Sequence, residues 1–237
     1  MFNGVRKVLA GLRPFGESVW PGVRNDLFVA HESIYAFCTQ YARGCSVLDA
    51  GCGTGYGTFA LAGSGAESAL GVDIDPRSIA YANRHFALPN LMFAVADIGR
   101  MNFGERSFGF VLASNSLEHL DSPADYLGRL KCILASGGRA VIAVPPIYTA
   151  HDVKVHADIH YHRSNLTVVE WADLIASAGF RASGILHHAR GNLSPNFRSH
   201  RKSKLSPDDF VFTRTSVEAL WQQPSITAIF LLERAVG

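Results

Sequence analysis

As far as Val144, short and nearly continuous apolar runs alternate with amphipathic stretches, which predicts strand and helix in turn. Apolar Leu27, Phe28, Ile34, Tyr35, Phe37 and Cys38 recur at roughly helical spacing and predict a helix over 25–43. The pattern then reads strand 46–50, helix 55–62, strand 68–73, helix 76–86, strand 91–96, strand 108–113, helix 124–134 and strand 139–144. Asp75 before Pro76 marks a helix start, and Gly137-Gly138 marks a helix end. Strands this apolar along their whole length require a parallel sheet covered on both faces, so the expected class is α/β. Beyond Val144 the pattern weakens. A polar, His-rich stretch runs to Arg163, followed by a helix over 167–178 ended by Gly179, a strand over 181–187, a Ser/Asn/Arg/Lys-rich loop over 190–209 and a final strand over 225–233. No internal repeat is visible, so one domain is expected over 1–237, with a lid or helix at 1–45, a core at 46–144 and a substrate-side insertion with closing strands at 145–237.

Composition narrows the partners. The 237 residues are 48% hydrophobic and 18% charged, enough for one full core. The formal net charge is only +2, with 22 basic against 20 acidic residues, which favours a small acceptor over nucleic acid. Four cysteines without a Cys-x-x-Cys pair read as reduced thiols in a cytoplasmic protein. The Pro/Gly-rich start, with Pro14, Gly16, Pro21 and Gly22, has no signal-peptide core, and no apolar run reaches the roughly 18 residues of a membrane span. A peripheral membrane contact and a homodimer stay open.

Chemistry concentrates first at Asp49-Ala-Gly-Cys-Gly-Thr-Gly-Tyr-Gly57, between a predicted strand and a predicted helix. By glycine pattern alone this loop also fits a dinucleotide. Asp49 discriminates, because a carboxylate two residues before the first glycine repels a pyrophosphate but favours the ammonium and sulfonium of S-adenosylmethionine. Gly51, Gly53 and Gly55 let the backbone approach the methionine and ribose, with Cys52 and Tyr56 between and after them. Asp73 ends the second strand, where it can accept both ribose hydroxyls, with Ile74 next to it. Asp97 follows the third, where it can accept from the adenine amino group, with Ile98 beside the ring. Any one of these acids alone reads equally well as a solvated loop residue.

Val47-Leu-Asp-Ala-Gly-Cys-Gly-Thr-Gly55, Gly71-Val-Asp-Ile-Asp-Pro76, Ala96-Asp-Ile98, Ser114-Asn-Ser-Leu-Glu-His-Leu120 and Leu134-Ala-Ser-Gly-Gly-Arg139 occur in order, and together they resemble the class I S-adenosylmethionine-dependent methyltransferases. The resemblance implies a Rossmann-like, doubly wound sheet of seven strands, mostly parallel with an antiparallel last strand. It also implies S-adenosylmethionine as methyl donor, S-adenosylhomocysteine as product, and Asp49, Gly51, Gly53, Asp73 and Asp97 as cofactor ligands. Ser114 ends the fourth strand on the same edge. In this family the helix before the first strand commonly covers the cofactor, which makes His31 and Tyr35 lid candidates beside a core or surface role.

Methyl transfer is an in-line displacement, so the protein mainly positions and, for a hydroxyl, deprotonates. His119, after the fourth strand, is the candidate general base, with loop structure as its competing role. O-methyltransferases similar to those of ubiquinone synthesis carry Glu-x-x-Glu-His here and bind a divalent metal. Asn115 stands at the first position, so a metal is possible but is not predicted. The run His151-Asp-Val-Lys-Val-His-Ala-Asp-Ile-His-Tyr-His162 would, if extended, put His156, Asp158, His160 and His162 on one side. His156 and His160 join His119 as catalytic candidates, either as a second base or holding substrate hydroxyls, against metal ligation or a solvated flap.

The rest of the chain is similar to metal-dependent sugar O-methyltransferases of actinobacterial polysaccharide synthesis, through Tyr161-His-Arg-Ser-Asn165, Ala178-Gly-Phe180 and Asp209-Phe-Val-Phe212. That implies a saccharide or glycan-precursor hydroxyl as acceptor. The basic run Arg198, His200, Arg201, Lys202 and Lys204 suits a phosphorylated or lipid-linked glycan, or a solvated loop. Val144-Pro-Pro-Ile-Tyr148 lacks the Asn and the placement of the amino-methylating Asn-Pro-Pro-Tyr signature. N-methylation of a small molecule and a catalytically silent cofactor-binding subunit are the alternatives.

Overall fold

The computed structural model describes residue 22 and residues 24–100, 103–105, 107–159 and 161–234. Pro14, Gly16, Pro21 and His160 lie outside the described residues. The elements are α1 (Asp26–Ala42), β1 (Ser46–Ala50), α2 (Tyr56–Gly63), β2 (Ser68–Asp73), α3 (Pro76–His85), β3 (Leu91–Val95) and β4 (Phe108–Ser114). After a 3-10 turn at Leu117–His119 come α4 (Pro123–Ile133), β5 (Leu134–Val144), α5 (Ala150–Ala157), α6 (Val168–Ser177) and β6 (Arg181–Ala189). A second 3-10 turn at Pro207–Asp209 leads to β7 (Phe210–Thr215), α7 (Ala219–Gln222) and β8 (Ala228–Glu233).

The strands form one sheet in the order β3-β2-β1-β4-β5-β8-β6-β7. Strands β1 to β5 pair in parallel, and β8 runs antiparallel to both β5 and β6. The winding direction reverses between β1 and β4, which opens a crevice at their carboxyl ends. Because β6 is antiparallel to β8, and β8 to β5, β6 ends on that same carboxyl edge. The loop at 190–209 therefore starts there.

Both faces of the sheet are buried at its centre, in β1, β4, β5 and β8, and the two-residue period of the strands sorts their side chains between them. Leu48, Val111, Ile142 and Phe230 pack with Trp171, Tyr126 and Leu127 on one face. Their neighbours Val47, Leu112, Val141 and Ile229 pack with Ile34, Cys38 and Leu61 on the other. Helix starts follow local chemistry: Asn25 Oδ1 accepts from Phe28 N at 2.9 Å, and Thr167 and Glu170 form a capping box at α6.

Among the described residues the sheet has eight strands, not seven. The extra strand, β7, pairs antiparallel with β6 from Gly184↔Thr215 to Ala189↔Phe210. Its Phe-Val-Phe-Thr-Arg-Thr sequence is half polar because it is an edge strand, so no continuous apolar run announces it. The His-rich stretch is the second difference, since residues 150–157 are helix α5, begun by a Thr149–Asp152 capping box, and the alternation required of an extended segment is lost. Gly137-Gly138 does not end a helix; α4 stops at Ile133 and β5 starts at Leu134, with Gly137 at φ 70° inside it.

The 190–209 loop is tied down. Asp26 Oδ2 accepts from Asn196 N at 2.7 Å and Asp26 Oδ1 from Ser203 Oγ at 2.5 Å, while Asn25 Nδ2 donates to Ser199 O at 3.0 Å. Helix α1 is pinned to the sheet by buried His187, whose Nε2 lies 3.1 Å from Ser33 Oγ and whose Nδ1 lies 3.3 Å from Thr227 Oγ1. Its ring stacks on Phe212 at 4.6 Å, and burial lowers its pKa to about 3, so it is neutral.

Trp171 is 1% exposed and is among the largest fully buried side chains. Trp171→Ala is expected to destabilise the fold by about 3–5 kcal/mol, read as a lower urea midpoint with an unchanged slope.

Candidate active site

Strand β1 ends at Ala50, and the chain turns through glycines into α2. Gly51 N and Cys52 N both donate to Val72 O, at 2.8 and 2.9 Å, which folds the turn over the end of β2. Gly51 sits at φ 86°, and a Cβ there would lie 2.4 Å from Ser116 Cβ. Gly57 starts α2 so close to Tyr35 that a Cβ would come within 2.2 Å of the ring. Cys52 is buried with its Sγ 3.7 Å from Gly53 O, and burial raises its thiol pKa. Tyr56 is half-buried against Phe28, with ring centroids 4.7 Å apart.

Asp49 is 0% exposed. It accepts from Thr58 Oγ1 at 2.6 Å and from Tyr35 OH at 3.3 Å. Burial raises its pKa to about 7 against those two hydrogen bonds, with nearby Asp73 adding repulsion. Asp49 therefore lies beneath the loop, and both its oxygens are engaged inside the protein. Asp73 is half-buried, taking Gly53 N on Oδ2 at 2.8 Å and Asp75 N on Oδ1 at 2.9 Å. Asp97 takes Gly99 N on Oδ1 at 2.8 Å and lies 3.6 Å from Arg100 Nε. The three acids thus stand at or just past the ends of three neighbouring strands. Ile74 is 68% exposed at this edge, whereas Ile98 packs into the main core cluster.

Strand β4 ends at buried Ser114, and Asn115 follows at φ 49°, the left-handed region that asparagine tolerates. Ser116 Oγ then donates to Ala50 O at 2.8 Å, which places the 3-10 turn Leu117–His119 beside the glycine loop. Glu118 is buried at 3%. Its carbonyl accepts from Arg163 N at 2.8 Å and Ser164 N at 2.9 Å, and Ser164 Oγ donates to Leu120 O at 2.5 Å. These bonds lay the segment behind α5 along the turn. As a result His119 Nδ1 lies 3.0 Å from Tyr161 O, and His156 Nδ1 lies 3.3 Å from His162 Nδ1. The ring centroids of His119 and His162 are 5.2 Å apart. Burial lowers the pKa of His156, and burial plus its two histidine neighbours lowers that of His162 to about 4, so both are neutral at pH 7. Sequence reasoning missed Thr58 and Ser116 as partners of the site, and it named Glu118 beside His119, and His162, without giving either a role of its own. No periodicity links a residue to a partner across a crossover connection.

Tyr35 proves to hold Asp49 from beneath, whereas half-buried His31, near His187, has its pKa lowered to about 4 by burial. A cavity of about 620 Å³ lies between α1, α2 and α3 against Phe28, Tyr56, Phe59 and Phe86, and none of the three acids lines it. The polar convergence at the carboxyl edge is the better candidate site, because the three acids, Ser116 and His119 meet the glycine loop there, whereas none of these residues lines that cavity.

The family described as "Methyltransferase domain" matches residues 48–142, which span this edge from β1 to β5. A protein of Mycolicibacterium smegmatis named as a probable S-adenosylmethionine-dependent methyltransferase is 26% identical over 179 residues, 73% of this chain and 68% of its own. Residues 48–142 of this chain therefore carry an S-adenosylmethionine-dependent methyltransferase domain. The methyltransferase is also 39% identical over 103 residues to the tRNA U34 carboxymethyltransferase of Methylococcus capsulatus, covering 42% of this chain but only 32% of that relative. In fold it resembles a methyltransferase of Thermotoga maritima, a possible histamine N-methyltransferase, with a TM-score of 0.62 at 16% identity over 88% and 92% of the two chains. Its cofactor is S-adenosylmethionine. Among the described residues of the methyltransferase no helix is long and apolar enough to cross a membrane.

The buried carboxylate gives a pH signature. The raised Asp49 pKa means its contribution favours the fold fully below about 3.8 and is lost as pH rises through about 7. In the cofactor-free methyltransferase, Asp49→Asn is expected to gain stability relative to the parent between pH 5 and pH 8. Urea midpoints at those two pH values check it; a constant difference would refute it.

Proposed function

We propose that this methyltransferase O-methylates a hydroxyl of a small acceptor, a saccharide or glycan precursor in the first instance. The observation that carries the reading is the packing of His119, His156 and His162 beside the glycine loop. In this reading Gly51, Cys52, Gly53, Gly55 and Tyr56 line the methionine and ribose side of the cofactor, and Asp49 sets the field beneath it. Asp73 takes the ribose hydroxyls, Asp97 the adenine amino group, and Ile74, Ile98 and Ser114 flank the rest.

His119 takes the acceptor proton. A carbonyl only accepts, so the contact with Tyr161 O places the proton of neutral His119 on Nδ1 and leaves Nε2 as the base. The hydroxyl oxygen then attacks the sulfonium methyl, the C–O bond forms, the C–S bond breaks and the thioether leaves. Arg198, Arg201, Lys202 and Lys204 are exposed on the loop that begins at the same edge, which supports an acceptor bearing phosphate. Those cations and the tRNA-modifying relative also support a second reading, an RNA acceptor.

Labelled S-adenosylmethionine with a panel of saccharides, sugar phosphates, amines and tRNA separates these. Transfer to a hydroxyl is expected, reduced about a hundredfold by His119→Ala. Full activity of that variant on an amine would replace O- with N-methylation, and transfer to tRNA that falls steeply with salt would replace the small acceptor. Cofactor binding without transfer to any acceptor would favour a silent subunit. By calorimetry, Asp73→Ala is expected to weaken the cofactor about tenfold or more.

A further inference from the structure

Glu118, His119 and His162 each bring one ligating atom within 4.8 Å of the other two, Glu118 buried and both histidines half-buried. They come from two segments that backbone hydrogen bonds to Glu118 O hold together, so the grouping is built by the fold and is not an accident of loose side chains. We propose that this cluster binds a divalent transition-metal cation of the zinc and cobalt type, with its remaining coordination positions open to the acceptor hydroxyl. The inference rests on the reading of this edge as the place where that hydroxyl is activated, and it puts a bound cation in place of the His119 base as the activating agent.

The donor set decides the class of ion. Two imidazoles and one carboxylate suit zinc, cobalt, iron or manganese, whereas magnesium and calcium require mostly oxygen ligands. Asn115, at the place where a hard anionic ligand would suit magnesium, turns its amide to within 3.5 Å of Ser114 Oγ. The third ligand arrives instead from the segment behind α5, as a nitrogen. Ligating histidines are oriented through their other ring nitrogen, and both histidines have such a partner. The carbonyl of Tyr161 holds the His119 Nδ1 proton, leaving the Nε2 lone pair for a cation. His162 Nδ1 lies 3.3 Å from His156 Nδ1, a contact that orients the His162 ring. Asp121 and Arg163, on the two segments that form the cluster, are paired with each other at 3.1 Å, and Asp152 is held by the Thr149 cap.

A cation here stands beside the glycine loop, because Ser116 ties the start of the turn to Ala50. A hydroxyl bound to it loses its proton to solvent water at lower pH than a free hydroxyl does. The resulting alkoxide attacks the sulfonium methyl with the same bond changes as above, so no oxidant or further reactant is needed.

Untagged full-length protein, stripped with chelator and dialysed, is titrated with Zn²⁺ by calorimetry and with Co²⁺ by visible absorption. One Co²⁺ per chain with the intense d–d bands of a low-coordinate site is expected, displaced by Zn²⁺ and not by excess Mg²⁺. Glu118→Gln and His162→Ala are each expected to weaken Zn²⁺ binding at least about tenfold, and His151→Ala, exposed on α5 outside the cluster, to leave it unchanged. S-adenosylhomocysteine binding, measured in every variant, reports folding. Absence of stoichiometric binding, displacement by Mg²⁺, or unchanged binding in folded His162→Ala overturns the proposal. Hydroxyl methylation by metal-free protein that still needs His119 would overturn the metal and leave the base reading standing. Tight metal binding with transfer only to amines would uphold the site and remove the hydroxyl reading.

Discussion

A carboxylate with no access to water underlies the architecture of the carboxyl edge. Asp49 cannot be charged cheaply at its depth, and it is kept there by two hydroxyl donors from two different helices, Tyr35 of α1 and Thr58 of α2. Those donors fix where the helices start relative to β1. They also require Gly57, since a side chain there would collide with the tyrosine ring. A half-neutralised acid under a loop of glycines is a place where an arriving cation restores the lost charge balance, which is the physical link between this fold and a sulfonium cofactor.

The central sheet was legible because each of its strands is apolar on both faces and each crossover helix is amphipathic or capped. β1 and β2 coincide with their expected bounds, and α3 differs by one residue at its end. The edges were harder to read. An edge strand has one solvent-facing side and a short ladder, so β7 resembles a loop in composition. Helix α5 carries no buried residue at all, and its capping box outweighs the alternation that suggested an extended segment.

The site was legible to different degrees for a related reason. Acids at strand ends are positioned by the strands themselves, so finding β1, β2 and β3 places Asp49, Asp73 and near-terminal Asp97 together. The meeting of His119 with His162 depends on Arg163 and Ser164 docking their amides on the carbonyl of Glu118, a backbone contact with no residue-type signature. Ile98 shows that position along the chain does not predict packing, since it follows Asp97 at the edge and yet packs into the core cluster.

The clip between Asp26 and the loop at Asn196 and Ser203 has a mechanical consequence. Helix α1 holds the basic loop at one end and, two to three turns on, presents Tyr35 to Asp49. A rigid helix cannot shift at one of these points without shifting at the other. The basic loop and the buried acid beneath the glycine turn therefore share a single lever, and a displacement of one is felt by the other.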